Sequence, residues 1–352
     1  MRIANILSTR AYELSPPFHL IYEWEDDLAA ALGVPVIDAK TPLRKALINR
    51  YTKPAYNKLS GDLLDYINNR LELGRPSVQA ADAYSLAHEL YPAREPNFTT
   101  AAKTIPLLID LWKPPTPAGA QDFGRTYRRC PLVLISSLEA LQYMQEHNCP
   151  LNLAHLALSL SDRYRLLPET RYEKKYDILL AGRLNIRTNQ VLRDYLDEYV
   201  RQHPETEYLY QQEIDGEYYY ASNKSGLVGK FQSREDYISL LRASKISFYS
   251  TPGIDGGEIR TGGFNPVTPR YLELLAAQCL LLGKYPDNAE TRYYELNKVC
   301  PNVTSYEEFA QTLGGYLQQQ SPSFDAHRAI LDKHYTSVRA EELLNILNNF
   351  KI

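Results

Sequence analysis

The segment TPRYLELLAAQCLLLGKYPD, residues 268–287, contains an arginine and a glutamate in positions where they could do chemistry. Pro269 is typical of a first helical turn, and an apolar strand is predicted after the helix. Arg270 and Glu273 are three residues apart and therefore share one helix face. A helix N-terminus attracts anions, arginine is suited to phosphate, and a carboxylate can accept both hydroxyls of a ribose. The same spacing is also typical of a plain surface ion pair.

The elements that must position these residues alternate between short apolar strands and amphipathic helices, which predicts parallel sheets covered by helices. In the first half, strands are predicted at 3–7, 34–37, 105–111 and 132–135, helices at 18–32, 60–73 and 138–147, and either type at 153–160. In the second half, strands are predicted at 176–181, 207–211, 246–250 and 279–282, and helices at 189–203, 233–244, 269–278, 306–319 and 337–350. The segment 213–230 is predicted to be irregular, and His88 is placed on a helical pattern.

The length of 352 residues is about twice that of a single domain. The polar, proline-containing segment 166–175 is predicted to be a linker, which gives domains of 1–168 and 169–335. The predicted fold class is α/β, with two doubly wound, Rossmann-like domains facing a cleft. In such sheets, ligands bind beyond the carboxyl ends of the strands.

Composition and missing motifs exclude several function classes. The 39 basic and 42 acidic residues give a net charge of −3, which is not typical of a nucleic-acid-binding protein. The four cysteines form no CxxC pair, no histidines stand at metal-ligand spacing, and we expect no structural metal. No P-loop, GxGxxG, HExxH or GxSxG motif is present. The sequence shows no signal peptide and no membrane span, so we expect a cytoplasmic protein.

Residues 175–350 resemble the C-terminal half of GT-B glycosyltransferases, in particular the spore-maturation-type (group 1) subgroup. The resemblance is carried by the segment 268–287 and the glycine-rich loop before it, together with YDILLAGRLNIR (176–187) and YISLLRASKISFYSTPG (237–253). Two C-terminal segments, SYEEFAQTLGGYL and HYTSVRAEELLNIL, also follow the subgroup's pattern. The N-terminal half matches only in its order of strands and helices.

The resemblance implies a GT-B-like, metal-independent transferase without a bound cofactor. Its donor would be a nucleotide diphosphate-sugar, with a UDP-sugar as the first candidate. Its acceptor would be a saccharide or a lipid-linked glycan in bacterial surface polysaccharide synthesis. The donor would bind the C-terminal domain and the acceptor the N-terminal domain, and the last helix, 336–352, would return to pack on the N-terminal domain.

Carried over residue by residue, the resemblance assigns Glu273 to the ribose and both Arg183 and Arg187 to the diphosphate. Arg270 joins this donor group. The loop residues placed against the sugar and phosphates are Gly262, Gly263, Phe264 and Asn265. Asn265 stands eight positions before Glu273, where retaining members with paired glutamates have the first glutamate. The stereochemistry therefore stays open.

An inverting enzyme needs a general base near the acceptor, and Glu13, His19 and Asp110 are the candidates because they lie in or beside loops that follow predicted strands. Each also has a structural explanation, as a solvated carboxylate, a helix start or a turn cap. Five basic residues could contact an anionic acceptor or a membrane surface, or simply form a solvated face: Lys53, Lys58, Arg125, Arg128 and Arg129. The segment 125–129, which includes Tyr127, is the first candidate for an acceptor-side patch.

Two other functions remain open. The chain could be another sugar-nucleotide enzyme of the same architecture, such as an epimerase, or an inactive homologue that serves as a binding subunit. Peripheral association with the inner face of a membrane and the oligomeric state are also left open by the sequence.

Overall fold

The computed structural model describes residues 1–11, 13–14, 16–38, 78, 80, 82–90, 101–111, 127–182, 189–215, 217–230 and 233–350. The chain divides into an N-terminal unit, Met1–Asp162 with Thr336–Ile352, and a C-terminal unit, Arg163–Tyr335. The described helices are α1 (Pro16–Leu32), α2 (Leu138–Glu146), α3 (Gln190–Gln202), α4 (Arg234–Ala243), α5 (Pro269–Ala276), α6 (Ala289–Tyr293), α7 (Tyr306–Gln318), α8 (Asp325–Leu331) and α9 (Thr336–Asn349). Among the described residues, none of these helices combines the length and apolarity needed to span a bilayer.

The sheet of the N-terminal unit is parallel throughout its described pairings and has the order β2-β1-β3-β4-β5-β6. Its strands are β1 (Arg2–Ser8), β2 (Val36–Asp38), β3 (Ala83–Glu89), β4 (Thr104–Leu108), β5 (Val133–Ile135) and β6 (Leu153–His155). Because β1 lies between β2 and β3, the strand order changes direction there. This is where a doubly wound sheet opens a crevice at its carboxyl edge.

The core of the N-terminal unit contains both ends of the chain. Trp24 and Leu28 of α1 share a buried cluster with Ala340, Leu343 and Leu347 of α9. The indole N–H of Trp24 donates a hydrogen bond of 2.9 Å to the carbonyl of Ser159. The last helix is thus part of this unit's hydrophobic core.

The sheet of the C-terminal unit has the order β10-β9-β8-β7-β11-β12. Its strands are β7 (Tyr176–Leu179), β8 (Tyr208–Ile214), β9 (Glu217–Ser222), β10 (Gly226–Lys230), β11 (Ser244–Ser250) and β12 (Leu280–Lys284). The pairs among β8, β7, β11 and β12 are parallel, whereas β9 pairs antiparallel with both β8 and β10. Helices α3, α4 and α5 follow strands β7, β10 and β11 in the chain, so they begin at the carboxyl edge of the parallel strands.

The α/β class predicted from the alternation of strands and helices is confirmed, but some element predictions are wrong. The segment 213–230, predicted to be irregular, forms β9 and β10 instead. The Asp-Gly pair at 215–216 is a typical hairpin signal, Asp215 has a positive φ of 53°, and tyrosine favours strands. His88 lies in β3, which the sequence did not predict, rather than on a helix. All seven residues of β3 are buried, and burial in a central strand overrides local propensity. The predicted helix 60–73 lies outside the described residues.

Packing of the last helix predicts a contrast between two adjacent leucines. Leu343 is fully buried in the cluster with α1, whereas Leu344 is 44% exposed. We expect Leu343→Ala to lower the free energy of unfolding of the N-terminal unit by about 2–5 kcal/mol, because a buried leucine leaves a cavity. Leu344→Ala should change it by less than about 0.5 kcal/mol. Trp24 lies in the core of this unit, so urea denaturation followed by tryptophan fluorescence measures the difference. Equal effects would contradict the packing described.

Candidate functional site

A group of charged side chains surrounds Gly182, three residues after the end of β7 in the C-terminal unit. Gly182 has a φ of +106°, and a Cβ at this position would lie 2.6 Å from Nη1 of Arg270. The Arg270 guanidinium therefore packs directly on the backbone at the end of β7, and only glycine leaves room for it. Arg183 and Arg187, which were predicted to face a diphosphate, lie outside the described residues.

A second arginine, Arg193, and two tyrosines, Tyr220 and Tyr237, interact with Arg270. Burial lowers the pKa of Arg193, on α3, and the nearby charge of Arg270 lowers it further. Burial also acts to lower the pKa of Arg270, but Tyr237 and Glu273 outweigh it and hold that pKa above its ordinary value. The Tyr237 side chain is hydrogen-bonded to Arg270. The guanidinium groups of Arg193 and Arg270 thus repel each other, and the electrostatic potential at the end of β7 is positive.

Glu273 is the carboxylate of this group. It lies on α5, its side chain is 5% exposed, and its Oε1 is 2.5 Å from Nη1 of Arg234. Arg234 is the first residue of α4, a helix that the sequence correctly places after Ser233 as its N-cap. Arg270 and Glu273 thus lie on one short helix, as their spacing predicts, but their charged neighbours come from α3 and α4.

The predicted donor loop folds back on itself between β11 and α5. The amide of Asn265 is held at both ends: Oδ1 accepts a hydrogen bond of 2.8 Å from the Thr251 hydroxyl, and Nδ2 donates one of 2.8 Å to the carbonyl of Gly263. Asn265 is 8% exposed. The side chain in the position of the family's first glutamate therefore stabilises the loop.

The other predicted loop residues form tight turns. Gly262 and Gly263 have positive φ values of 57° and 96°. The N–H of Gly262 donates to the carbonyl of Ile259, and the N–H of Phe264 donates to that of Thr261. The Phe264 side chain is buried. These hydrogen bonds give the loop one defined shape at the carboxyl edge of the sheet.

A cavity of about 340 Å³ lies where this loop, β11, β12 and the start of α3 meet. It is lined by Asn189, Gln190, Val191, Leu192, Ser250, Ile254, Asp255 and Lys284. Nζ of Lys284 is 3.0 Å from a carboxylate oxygen of Asp255. Ser250 is 5% exposed, and its hydroxyl has no hydrogen-bond partner within the described part of the chain. The cavity thus presents a hydroxyl, a carboxylate and an ammonium, which are groups that can bind a polyhydroxylated ligand.

A larger cavity, of about 680 Å³, lies at the opposite edge of the same sheet, beside the first residues of β7, β11 and β12. One of its cations, Lys174, donates hydrogen bonds to the carbonyls of Arg242, Ser244 and Ala277. Lys174 therefore connects the start of β11 to the segment that precedes β12. Ligands of doubly wound sheets bind at the carboxyl edge, which favours the smaller cavity as the functional one.

The three candidate bases lie at the carboxyl edge of the N-terminal sheet. Glu13 is in the loop after β1, and its carbonyl accepts a hydrogen bond of 2.5 Å from the Tyr22 hydroxyl. His19 is half-buried in the first turns of α1, and Asp110 follows β4, which is separated from β1 by β3. None of the described contacts joins any two of the three.

The predicted basic patch is described only in part. Arg128 and Arg129 are exposed, whereas Tyr127 is fully buried in a core cluster with Cys130 and Val133. Tyr127 therefore lies in the core and is not part of an exposed surface. Lys53, Lys58 and Arg125 lie outside the described residues.

A charged cluster in the N-terminal unit is a feature that was not predicted from the sequence. Nη2 of Arg10 is 3.0 Å from Glu25 and 2.7 Å from Asp26, while Oε1 of Glu25 is 3.9 Å from Nδ1 of His88. Burial lowers the pKa of His88 to about 4. The sequence contains a signal for this cluster: Glu25 follows Ile21 by four residues, so a charged residue lies on the apolar stripe of α1, where burial is expected.

Glu25 predicts a pH-dependent stability. Burial raises its pKa to about 7, against hydrogen bonds from Ser8 and Arg10 that lower it. Between about pH 4.5 and 7, the folded protein therefore holds a proton that the unfolded chain has released, and the associated stabilisation is lost as the pH rises through 7. Relative to Glu25→Gln, we expect the free energy of unfolding of the wild type to fall over this range, on the order of 3 kcal/mol. Urea denaturation with tryptophan fluorescence measures both proteins, and a difference that is constant with pH would contradict the assignment.

Comparison with known proteins gives the fold. No family model matches the chain, and no curated protein matches it. Among solved structures, the E. coli trehalose-6-phosphate structure bound with UDP-2-fluoro glucose is 10% identical, with a TM-score of 0.61 and coverage of 100% of both chains. The α,α-trehalose-phosphate synthase (UDP-forming) from Burkholderia vietnamiensis is 10% identical, with a TM-score of 0.56, and the match covers 99% of this chain and 100% of that one.

A third match, the GtfA/B complex, has 11% identity and a TM-score of 0.49, and it covers 82% of this chain and only 60% of that chain. At these identities, the comparisons establish architecture alone. The chain has the GT-B fold, as the resemblance of its C-terminal half implied.

Proposed function

We propose that this protein is a glycosyltransferase that moves a sugar from a nucleoside diphosphate-sugar to a saccharide or lipid-linked acceptor. A UDP-sugar is the first candidate for the donor. The GT-B fold supports this class of reaction. The observation that carries the proposal is the charge at the end of β7, where Arg193, Arg234 and Arg270 from three helices accompany one carboxylate, Glu273.

The arginines fit the charge that develops when such a donor reacts. As the bond between sugar and diphosphate breaks, negative charge grows on the leaving phosphate, and fixed guanidinium groups stabilise it without rearranging. Arginine binds phosphate through two parallel hydrogen bonds. We therefore assign the diphosphate to Arg270 and Arg193, beside Gly182, and propose that these cations supply the positive charge without a metal.

The remaining groups extend the assignment to the other parts of the donor. Glu273 would accept the ribose hydroxyls. The 340 Å³ cavity, with Asp255, Lys284 and Ser250, would hold the sugar, since its groups both donate and accept hydrogen bonds. The folded loop that contains Asn265 forms one side of this region.

We assign the acceptor to the N-terminal unit. Glu13, His19 and Asp110 remain the candidate bases for an acceptor hydroxyl, because they lie at the carboxyl edge of the N-terminal sheet. Surface polysaccharide synthesis at the inner face of a bacterial membrane is the setting that we propose from the family resemblance. Turnover assays separate this function from the alternatives: an epimerase converts the donor alone, and an inactive homologue binds the donor without converting it.

A nucleotide panel tests the donor site. We expect one of the nucleoside diphosphates UDP, GDP, ADP and TDP to raise the melting temperature equally with Mg²⁺ and with EDTA, whereas CMP, a monophosphate, should give no shift. The stabilisation should be about 2.7 kcal/mol at a hundredfold excess over the Kd. Glu273→Gln should weaken binding about tenfold, whereas Glu235→Gln, an exposed change on α4, should not. No shift with any nucleotide would reject the proposed donor class, and a shift that needs Mg²⁺ would reject metal independence.

The sugar cavity predicts a separate effect. Asp255→Asn removes a charged acceptor from the cavity but leaves the arginines at β7 untouched. We expect it to weaken binding of UDP-glucose or UDP-N-acetylglucosamine about tenfold while the affinity for UDP stays unchanged. Asp287→Asn is the matched control, because that aspartate pairs with Arg292 on the surface. Equal losses for UDP and UDP-sugar in isothermal titration would place the sugar elsewhere.

A further inference from the structure

We propose that Arg234 is a positioning residue for the donor: it holds one oxygen of Glu273, turns the other toward the ribose, and so makes the site select ribonucleotides over deoxyribonucleotides. This inference rests on the proposed function, which assigns the ribose to Glu273. Neither the family resemblance nor the sequence pattern singles out Arg234.

The ion pair itself is short and shielded from water. Nη1 of Arg234 is 2.5 Å from Oε1 of Glu273, and the two side chains are only 16% and 5% exposed. A carboxylate at such a buried position is costly unless a cation accompanies it, and the guanidinium of arginine is charged at every relevant pH. Arg234 therefore keeps Glu273 available as a hydrogen-bond acceptor.

Arg234 is held in place from two directions. It is the first residue of α4, where the Ser233 hydroxyl accepts a hydrogen bond of 3.0 Å from the N–H of Asp236 and the Asp236 carboxylate accepts one of 3.2 Å from the N–H of Ser233. This capping box fixes the start of the helix. The guanidinium also lies 5.8 Å from the ring centroid of Tyr164, within the range of a cation–π contact.

The ion pair with Arg234 fixes the orientation of the Glu273 carboxylate. Arg234 engages Oε1, and Oε2 is the oxygen that we assign to the ribose hydroxyls. An ionised carboxylate only accepts hydrogen bonds, so it favours a ligand that brings hydroxyl donors. A 2′-deoxynucleotide brings one donor fewer, and the preference for ribose should then depend on how firmly Arg234 holds Glu273.

The chain offers a matched control on the same helix. Arg242 lies 5.9 Å from the Tyr164 ring and 4.9 Å from the Tyr172 ring, so it makes the same kind of contact as Arg234. Its described contacts do not include Glu273. Arg242→Gln removes a comparable charge and stacking contact from α4 and leaves the ion pair intact.

The test is isothermal titration of wild type, Arg234→Gln, Arg234→Lys and Arg242→Gln with UDP, GDP and ADP and with their 2′-deoxy counterparts. We expect the wild type to prefer the ribose form of the nucleotide that it binds. Arg234→Gln should bind that form about tenfold more weakly and the deoxy form almost unchanged. Arg234→Lys should keep part of the preference, and Arg242→Gln all of it.

Other outcomes overturn the inference. Equal losses for ribose and deoxyribose forms would show that Arg234 acts on the fold of the site, and unchanged or tighter binding would show that it does not position Glu273. If the wild type binds neither these six nucleotides nor TDP, the proposed function fails, and this inference fails with it. Binding of TDP alone, whose sugar is a deoxyribose, would overturn the inference only. If the wild type binds and Arg234→Gln keeps the full ribose preference, the inference alone fails.

Discussion

The concentration of like charge at the end of β7 is the constraint on which the C-terminal site depends. Arg270 packs on Gly182 because glycine has no Cβ. Arg193 lies close enough to Arg270 for the charge of Arg270 to lower its pKa. Such charges repel each other in a partly dry environment unless anions or a ligand balance them. Among the described residues of this site, Glu273 is a buried carboxylate, and it pairs with a further arginine, Arg234. A diphosphate is the kind of ligand that supplies the missing negative charge.

The N-terminal unit shows the opposite balance. Around Arg10, two carboxylates, Glu25 and Asp26, compete for one guanidinium, and the neighbouring His88 is too deeply buried to be protonated near neutral pH. Burial then favours the protonated form of Glu25. The cluster lies near the carboxyl ends of β1 and β3, where the strand order changes direction. It ties the loop after β1, which contains Glu13, to α1 through Arg10 and Tyr22.

Local sequence patterns predict the helix starts of the C-terminal site but not the contacts between its helices. The N-cap at Ser233, the start of α5 at Pro269 and the shared face of Arg270 and Glu273 follow from local rules that act within one helical turn. The partners Arg234 and Arg193 come from other helices, and no local pattern in a single sequence reveals which helices meet at the end of a strand.

Other misses have different causes. Strands β9 and β10 do not follow from the sequence pattern, because the apolar residues of 213–230 are irregularly spaced and the Asp-Gly pair at 215–216 is their one local signal. The burial of Tyr127 and the strand that contains His88 depend on tertiary packing, which overrides the local pattern of polar and apolar residues. The internal hydrogen bonds of Asn265 depend on the fold of a long loop, which spacing does not describe.

The central claim is that the charge at the end of β7 receives a donor diphosphate. It is tested most directly by a crystal structure of the protein with the nucleoside diphosphate that stabilises it in solution. We expect phosphate oxygens within about 3 Å of the Arg270 guanidinium, beside Gly182, and ribose hydroxyls at the same distance from Glu273. A nucleotide bound away from these residues, or one whose phosphates leave Arg270 without a contact, would contradict it.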